Sequence, residues 1–411
     1  MRHRLAALAV ALSNSSPALA GPSADATRAA LEGRAGSFEA AAGALSGASD
    51  VEARFGEGML LFARAVERWG QAQYRQGLRA PSGAGLLVPL MRLPVPENPS
   101  PEVVTYESQR AAIRAFLDDL TAARAALAKV TGEVKITLDL NAVAFDLAGD
   151  PARRSRLGEI IAAVQRIGRP APPGAPPPTS EPWIVAFDEA DARWLQGYAS
   201  LMSATLEFAL AYDWSESCAV YGAQFYPRAT PAPPQRPAVE NTARHDPFRP
   251  DLFADSVAFL HSIHWPLVEP QRMAAARERL LETIAQSRAS WKLILAETDD
   301  DHEWVPSPRQ KSAAVTFAPV TQSVVDGWLS TLDDFEAALN GEKLVGHRLL
   351  AQGFNLKKVF LEPRPFDLVL WATGHAAQPY LADGPTLTQE SFLRWNRMLA
   401  GGFLGYAAWF N

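Results

Sequence analysis

Apolar residues in this sequence recur every three or four positions over several long stretches, a spacing that places them on one face of an α-helix. These stretches follow Asp50, run from 102 to 130, follow Asp188, run from 270 to 298 and run from 321 to 339. Two segments with seven prolines each, 169–182 and 227–250, interrupt the pattern, because proline lacks the N–H that a helix interior needs. We therefore expect a mainly α, multihelical protein with proline-rich loops.

Two further stretches have the features of extended chain. Val134, Ile136, Leu138 and Leu140 alternate with other residues, which places them on one side of a strand. Residues 357–372, KKVFLEPRPFDLVLWA, contain short runs rich in β-branched and aromatic residues. The pattern leaves room for one small β-hairpin in an otherwise helical protein.

The first 20 residues have the features of a secretory signal peptide. Arg2 and Arg4 precede a short apolar core at 5–12, and residues 18–20 form the small-residue cleavage pattern ALA before Gly21. The apolar core is too short to span a bilayer, and its retention as an N-terminal anchor is the alternative. We expect a periplasmic or secreted protein that begins at Gly21.

Charge and cysteine content limit the partners and the stabilising chemistry. The chain has 39 Lys and Arg against 45 Asp and Glu, and loss of Arg2 and Arg4 with the signal peptide changes its net charge from −6 to −8. This excess of acid disfavours a nucleic-acid partner. Cys218 is the single cysteine and cannot form an internal disulfide. No later stretch reaches about eighteen consecutive apolar residues, so we predict no stable membrane insertion.

The proline-rich segments divide the mature chain. We assign 21–168 as an N-terminal helical region, 169–182 as a linker, and 183–411 as a C-terminal helical region that contains the proline-rich loop at 227–250. The helix between the two proline-rich segments is too small to be a domain. Because ten of the eleven tryptophans lie from Trp183 onward, we place the larger core, and this helix, in the C-terminal region.

The densest group of ionisable residues ends a predicted helix. Carboxylates at a helix C-terminus meet its partial negative charge and repel one another, so solvent, a basic side chain from elsewhere or a bound cation should compensate. Oxygen-rich clusters suit hard cations such as Ca²⁺, and His261 and His264 are spaced so that both could bind one metal ion. The candidate ligands for a divalent cation are therefore His261, His264, Asp299, Asp300, Asp301, His302 and Glu303.

The carboxylates and the two histidines each have an alternative interpretation in which they bind no metal ion. The carboxylates can form a solvated acidic turn that pairs with residues such as Arg309 and Lys311. The two histidines lie on or beside an apolar stripe, where a half-buried histidine bonded to backbone is more common than a metal ligand.

A second candidate metal site is a degenerate EF-hand-like loop. Asp146 and Asp150 occupy the first and fifth loop positions. Ala148 stands where a third ligand is needed, and Pro151 stands where glycine makes the turn. Asp146 and Asp150 leave too few ligands for tight calcium binding.

Several stretches together resemble an uncharacterised family of exported bacterial helical proteins. They read RLPVPENPSPE, WLQGY, HWPLVEPQRM, ETDDDHEWVPSP and GYAAWFN. The resemblance spans most of the mature chain, and it implies export but no activity. It also implies a fuller calcium-type loop in some members, which the losses at Ala148 and Pro151 remove from this chain.

Two functions remain open, and whether the chain is an enzyme is uncertain. The sequence lacks G-x-S-x-G, H-E-x-x-H, G-x-x-x-x-G-K and complete G-x-G-x-x-G motifs. The favoured hypothesis is a non-catalytic cell-envelope protein that binds a small ligand or another envelope protein. The alternative is a metal-dependent hydrolase of an envelope substrate that uses the 261–264 and 299–303 clusters.

Overall fold

A computed structural model describes residues 21–79, 89–166, 181–231, 257–313 and 319–399, together with Ala407 and Phe410. The predicted signal peptide, most of the 169–182 linker and most of the 227–250 loop lie outside these residues. Within them the protein is mainly α-helical and its strands are short, as the sequence predicts. In chain order the helices are α1 (Pro22–Leu31), α2 (Phe38–Leu45), α3 (Val51–Gln76), α4 (Tyr106–Leu127), α5 (Leu157–Arg166), α6 (Glu189–Ala211), α7 (Ser215–Phe225), α8 (Gln271–Ala296), α9 (Gln322–Leu339), α10 (Leu356–Leu361), α11 (Leu368–Ala372) and α12 (Gln389–Met398).

Most of the long helices begin at polar capping residues, whereas α8 follows Pro270. Asp50 accepts a hydrogen bond from the N–H of Ala53 (2.8 Å), which satisfies one of the free donors in the first turn of α3. Thr105 and Ser108 cap α4 reciprocally, and for this reason α4 starts later than the predicted position 102. The last helix also begins at a polar residue, because the N–H of Thr388 donates to Ser391 Oγ (3.3 Å).

The strands form small ladders. They are β1 (Ile136–Asp139), β2 (Ala144–Phe145), β3 (Ser155–Arg156), β4 (Ile184–Phe187), β5 (His264–Trp265), β6 (Leu344–Val345), β7 (Gly353–Phe354), β8 (Phe366–Asp367), β9 (Leu381–Ala382) and β10 (Thr386–Leu387). The pairs β1–β4, β2–β3 and β5–β8 are antiparallel, and the remaining strands form one sheet in the order β10-β6-β7-β9.

The prediction of a β-hairpin within 357–372 is wrong. Most of that stretch is helical, in α10 and α11, and β8 pairs with the distant β5. The antiparallel pairs that are local in sequence are β2–β3, whose strands flank the EF-hand-like loop, and β6–β7. The strand predicted around Ile136 is confirmed as β1.

Helix α6 lies at the centre of the fold. It packs along α8 and against α4, and α4 packs against α3. The two long neighbours α6 and α8 are antiparallel, because the N–H groups of Val268 and Glu269, just before α8, donate to the carbonyl of Ala211 at the end of α6 (2.9 and 3.0 Å). The start of α6 therefore lies beside the end of α8, where the acidic residues gather.

Contacts across the linker join the two sequence regions. Strand β1 precedes the linker and β4 follows it, with Ile136 opposite Phe187 in the ladder. The buried guanidinium of Arg110 on α4 donates to the carbonyls of Leu210 and Tyr212 at the end of α6 (both 2.8 Å). Strand β1 and helix α4 of the N-terminal region thus help to position the two ends of α6.

The C-terminal core is closed by a residue near the end of the chain. Phe410 is almost fully buried, with its ring centroid 4.7 Å from that of Trp291 and 5.8 Å from that of Trp328. Ser287 donates to the carbonyl of Phe410 (3.1 Å) and accepts from the indole N–H of Trp328. In the described ranges, none of the helices combines the length and the apolar character that a membrane span requires.

Candidate functional site

The acidic turn, residues 297–303, is held against the start of α6. The N–H of Ala186 in β4 donates to the carbonyl of His302 (3.1 Å), and the N–H of Ala313 donates to that of Glu303 (2.7 Å). His302 adopts a left-handed backbone conformation with φ of 63°, which few residues other than glycine adopt. The turn is therefore an ordered extension beside β4.

Two aspartates cap α6 at this point. Asp188 Oδ1 accepts from the N–H of Ala190 (2.7 Å) and of Asp191 (3.3 Å). Asp191 Oδ2 accepts in return from the N–H of Asp188 (3.0 Å). This reciprocal cap places both carboxyl groups at the partially positive end of α6.

Four carboxyl groups meet where the turn reaches this cap. Glu297, which ends α8, hydrogen-bonds through its side chain to Asp188. Burial and the neighbouring carboxylates raise the pKa of Glu297 to about 8 and that of the buried Asp191 well above its usual range. Burial likewise raises the pKa values of Asp188 and Glu303. Glu297 is thus the proton donor of the carboxyl pair near neutral pH.

The outer carboxylates have a basic partner. Lys135, just before β1, lies 2.8 Å from Asp299 and 2.9 Å from Asp301. Partial burial lowers the pKa of Lys135, but the hydrogen bonds to these two carboxylates outweigh it and raise that pKa. Hydrogen bonds from Lys135 and His302 lower the pKa of Asp301. The ion pairs with Lys135 therefore compensate the negative charge at the exposed edge of the turn.

The segment after the turn satisfies the end of α8. Arg309, named from the sequence as a partner for the carboxylates, donates instead to the carbonyls of Leu295 and Glu297 (3.0 and 3.2 Å), where a cation complements the helix dipole. Gln310 donates to the Glu297 carboxyl group (3.0 Å), and the backbone N–H of Lys311 donates to Asp300 (2.7 Å).

Three half-buried tryptophans lie near the acidic turn and the start of α6. The ring centroid of Trp304 lies 5.5 Å from that of Trp194 and 6.1 Å from that of Trp183. Trp194 stands one helical turn after Asp191, so the carboxyl group and the indole share a face of α6. The buried indole N–H of Trp304 has no hydrogen-bond partner within the described residues. We name the set Asp188, Asp191, Glu297, Glu303, Trp183, Trp194 and Trp304 the acidic–aromatic junction.

The structure does not bring the predicted histidine ligands to this junction. His264 Nδ1 contacts the carbonyl oxygen of His261 (2.6 Å), and His264 Nε2 lies 3.0 Å from Glu216 on α7. Both histidines are exposed, and His264 stands opposite Asp367 in the β5–β8 ladder. Of the predicted histidines, only His302 lies at the acidic turn, 3.2 Å from Asp301.

The EF-hand-like loop is closed by its own backbone. Asp146 Oδ1 accepts from the N–H groups of Ala148 (3.2 Å) and Asp150 (2.7 Å), and Asp150 Oδ1 accepts from Ala152 (3.0 Å). Gly149 supplies the left-handed residue of the turn. Across the described ranges, no three or more His, Cys, Asp or Glu side chains are grouped so that they could hold a metal ion.

The sequence did not identify three contributors to the site. Asp191, Glu297 and Lys135 were not candidates, although the Asp188-x-x-Asp191 spacing is a recognisable helix cap. Their meeting depends on long-range packing of α6, α8 and β1. No protein-family model matches the chain, and no curated protein or solved structure is detectably similar to it.

Proposed function

We propose that this protein is an exported, non-catalytic binding protein of the cell envelope, and that the acidic–aromatic junction binds the positively charged group of an organic ligand or partner. One observation carries the proposal: four carboxyl groups from the start of α6, the end of α8 and the acidic turn interact electrostatically, and tryptophan rings adjoin them in the fold. The nearby cation, Lys135, is engaged by Asp299 and Asp301 at the outer edge.

The ionisation of the junction supports a cationic ligand. Glu297, whose pKa is raised to about 8, holds a proton near neutral pH, and a cation that enters among the carboxyl groups favours its ionised form. Its binding should therefore release protons. Tryptophan faces add a cation–π attraction, strongest for organic ammonium groups.

An ammonium group fits the junction better than a coordinated metal ion. A metal ion requires several ligand atoms directed at one point, whereas an ammonium group needs hydrogen-bond acceptors and aromatic faces. Backbone N–H groups already hold several acceptors in place: Asp188 and Asp191 cap α6, and Glu303 accepts from Asp301 (3.0 Å). Carboxyl groups that are held in fixed positions favour recognition of an ammonium group.

Titration calorimetry with a primary alkylammonium, a quaternary alkylammonium, Ca²⁺ and Mn²⁺ tests the proposal. Each titration is repeated in two buffers of different ionisation enthalpy, so that proton release is measured directly. We expect binding of an alkylammonium ion with proton release. Glu297→Gln and Asp191→Asn should weaken it, and Asp333→Asn, an exposed carboxylate on α9, is the control. Failure of both ammonium probes to bind would overturn the cationic assignment.

Export has its own test. Mass spectrometry of material recovered from outside the cytoplasm should find Gly21 as the N-terminal residue, as the ALA cleavage pattern predicts. Recovery of such material with Met1 intact would contradict cleavage.

A further inference from the structure

The segment from 343 to 388 forms a small C-terminal lobe with apolar side chains directed into solvent. It contains the β10-β6-β7-β9 sheet with α10 and α11. Leu349 is 56% exposed, the highest value among the exposed large apolar residues, and Val369 and Leu370 on α11 are nearly half exposed. Single exposed apolar residues are common on proteins, so what matters is whether these three are neighbours.

Hydrogen bonds place the backbone around Leu349 beside α11, the helix that carries the other two residues. The N–H of Leu349 donates to His347 Nδ1 (3.2 Å), and His347 Nε2 contacts the carbonyl oxygen of Trp371 on α11 (3.0 Å). The guanidinium of Arg348 donates to the carbonyl of Ala372 at the end of the same helix (3.1 Å). Residues 347–349 therefore lie against α11, which carries Val369 and Leu370.

The same lobe carries four exposed cations. Helix α10 carries Lys357 and Lys358, and it follows Phe354, whose ring centroid lies 5.5 Å from that of Trp371. Between residues 347 and 375 there are four basic side chains against two acidic ones, a net charge of +2 in a chain whose net charge is −6. The four are Arg348, Lys357, Lys358 and Arg364. In the described part of the chain, none of them forms a salt bridge, whereas Arg110, Arg124 and Arg288 each pair with a carboxylate.

We propose that this surface, made of Arg348, Leu349, Lys357, Lys358, Val369 and Leu370, rests on an anionic phospholipid bilayer. Apolar side chains that enter the headgroup region, with cations beside them, are the combination that holds a protein on a bilayer without spanning it. Anionic headgroups supply the counter-charges that these cations lack within the lobe.

The positive charge of this surface favours an anionic bilayer as its partner over a second copy of the chain. In a two-fold symmetric dimer the same patch occurs on both subunits, so this surface would bring like cations face to face. An anionic bilayer instead attracts every cation of the patch. None of the six residues belongs to the acidic–aromatic junction, so this proposal goes beyond the proposed function and does not depend on it.

Sedimentation of the mature chain with vesicles tests the proposal. One vesicle preparation contains phosphatidylglycerol and phosphatidylcholine, and the other contains phosphatidylcholine alone. We expect binding to the anionic vesicles only, and its loss at high salt, because salt screens the attraction. Each cation near such a surface strengthens binding about fivefold, so Lys357→Gln with Lys358→Gln should weaken it about 25-fold.

Matched control variants test whether vesicle binding depends on this surface or on charged and apolar residues elsewhere in the chain. Lys129→Gln with Lys292→Gln neutralises two other exposed lysines and should change the binding much less. Leu349→Ser should weaken binding more than Val103→Ser, which alters an apolar residue that is 49% exposed outside the lobe. Circular dichroism confirms that each variant is folded.

Three results would overturn the proposal. One is no sedimentation with anionic vesicles at low salt, and another is equal loss of binding in the lobe variants and their controls. The third is a concentration-dependent dimer, measured by light scattering, that Leu349→Ser abolishes. That dimer would assign the surface to self-association.

Discussion

The side chains of Glu297 and Asp188 form a carboxyl–carboxyl hydrogen bond between the end of α8 and the start of α6. Such a bond requires a proton on one partner, so it links two elements that are distant in sequence to the pH of the solution.

This pair should make stability fall as the pH rises. The pKa of Glu297 is raised in the folded protein, to about 8, so its stabilising contribution is complete below its unfolded pKa and is lost as the pH rises through about 8. Glu297→Gln keeps a hydrogen-bond donor without a titratable proton. At pH 9 we expect it to be more stable than the wild type by about 1–2 kcal/mol, a value reduced because the side chain is partly solvated.

Urea unfolding midpoints measured from pH 5 to pH 9 check this expectation. Asp333→Asn, which removes an exposed carboxylate, should run parallel to the wild type. Parallel curves for Glu297→Gln and the wild type would mean that the pair does not hold a proton.

Loss of the Phe410 ring should destabilise the C-terminal core. The ring is buried between Trp291 and Trp328, so Phe410→Ala leaves a cavity as well as removing apolar contact. Such changes cost about 3–5 kcal/mol. Chemical denaturation measures this, with Phe392→Ala as the control because Phe392 is nearly half exposed. Equal effects of the two changes would show that Phe410 is not buried in solution.

Arg110 should be far more important than its neighbour Arg114, although both contact Glu269. Arg110→Met leaves the carbonyls of Leu210 and Tyr212 without their donor and removes a buried charge from its partner. We expect a loss of about 3–5 kcal/mol in unfolding free energy. Arg114→Met, at an exposed position, should cost less than about 1 kcal/mol. Similar losses would contradict the role assigned to the two carbonyl contacts.

The EF-hand-like loop should be insensitive to calcium. The Asp146 carboxylate is occupied by two backbone N–H groups of its own loop, so Asp146→Ala should cost about 1–3 kcal/mol. Asp146→Asn keeps an oxygen acceptor and should cost less. Melting temperatures with Ca²⁺ and with EDTA should agree for the wild type and for both variants. A rise with Ca²⁺ that Asp146→Asn abolishes would show that the loop does bind the ion.

Local signals predicted the long helices well, because capping and apolar spacing act over a few residues. Asp50 and Asp188 precede two of the predicted helices, and each accepts a hydrogen bond from the first turn of its helix. The run at 357–372 misled because β-branched and aromatic residues also occur in short helices, whose conformation is decided by tertiary packing.

The candidate site could be predicted only in part. The acidic turn was visible as a charge run at the end of a helix, and a basic partner from elsewhere was one of the expected forms of compensation. That partner is Lys135, and the capping end of α6 contributes as well. Neither contact leaves a signal in local spacing, since the first depends on the pairing of β1 with β4 and the second on the antiparallel packing of α6 and α8.

The β1–β4 ladder has a consequence for how the chain can be divided. Its strands lie on opposite sides of the proline-rich linker, and Arg110 anchors the far end of α6 from the N-terminal side. A chain cut within the linker would separate one strand of this ladder from the other and α4 from α6. Two fragments expressed from separate genes should therefore fold poorly alone and reassemble when mixed, which makes the linker a natural site for a split reporter of this protein.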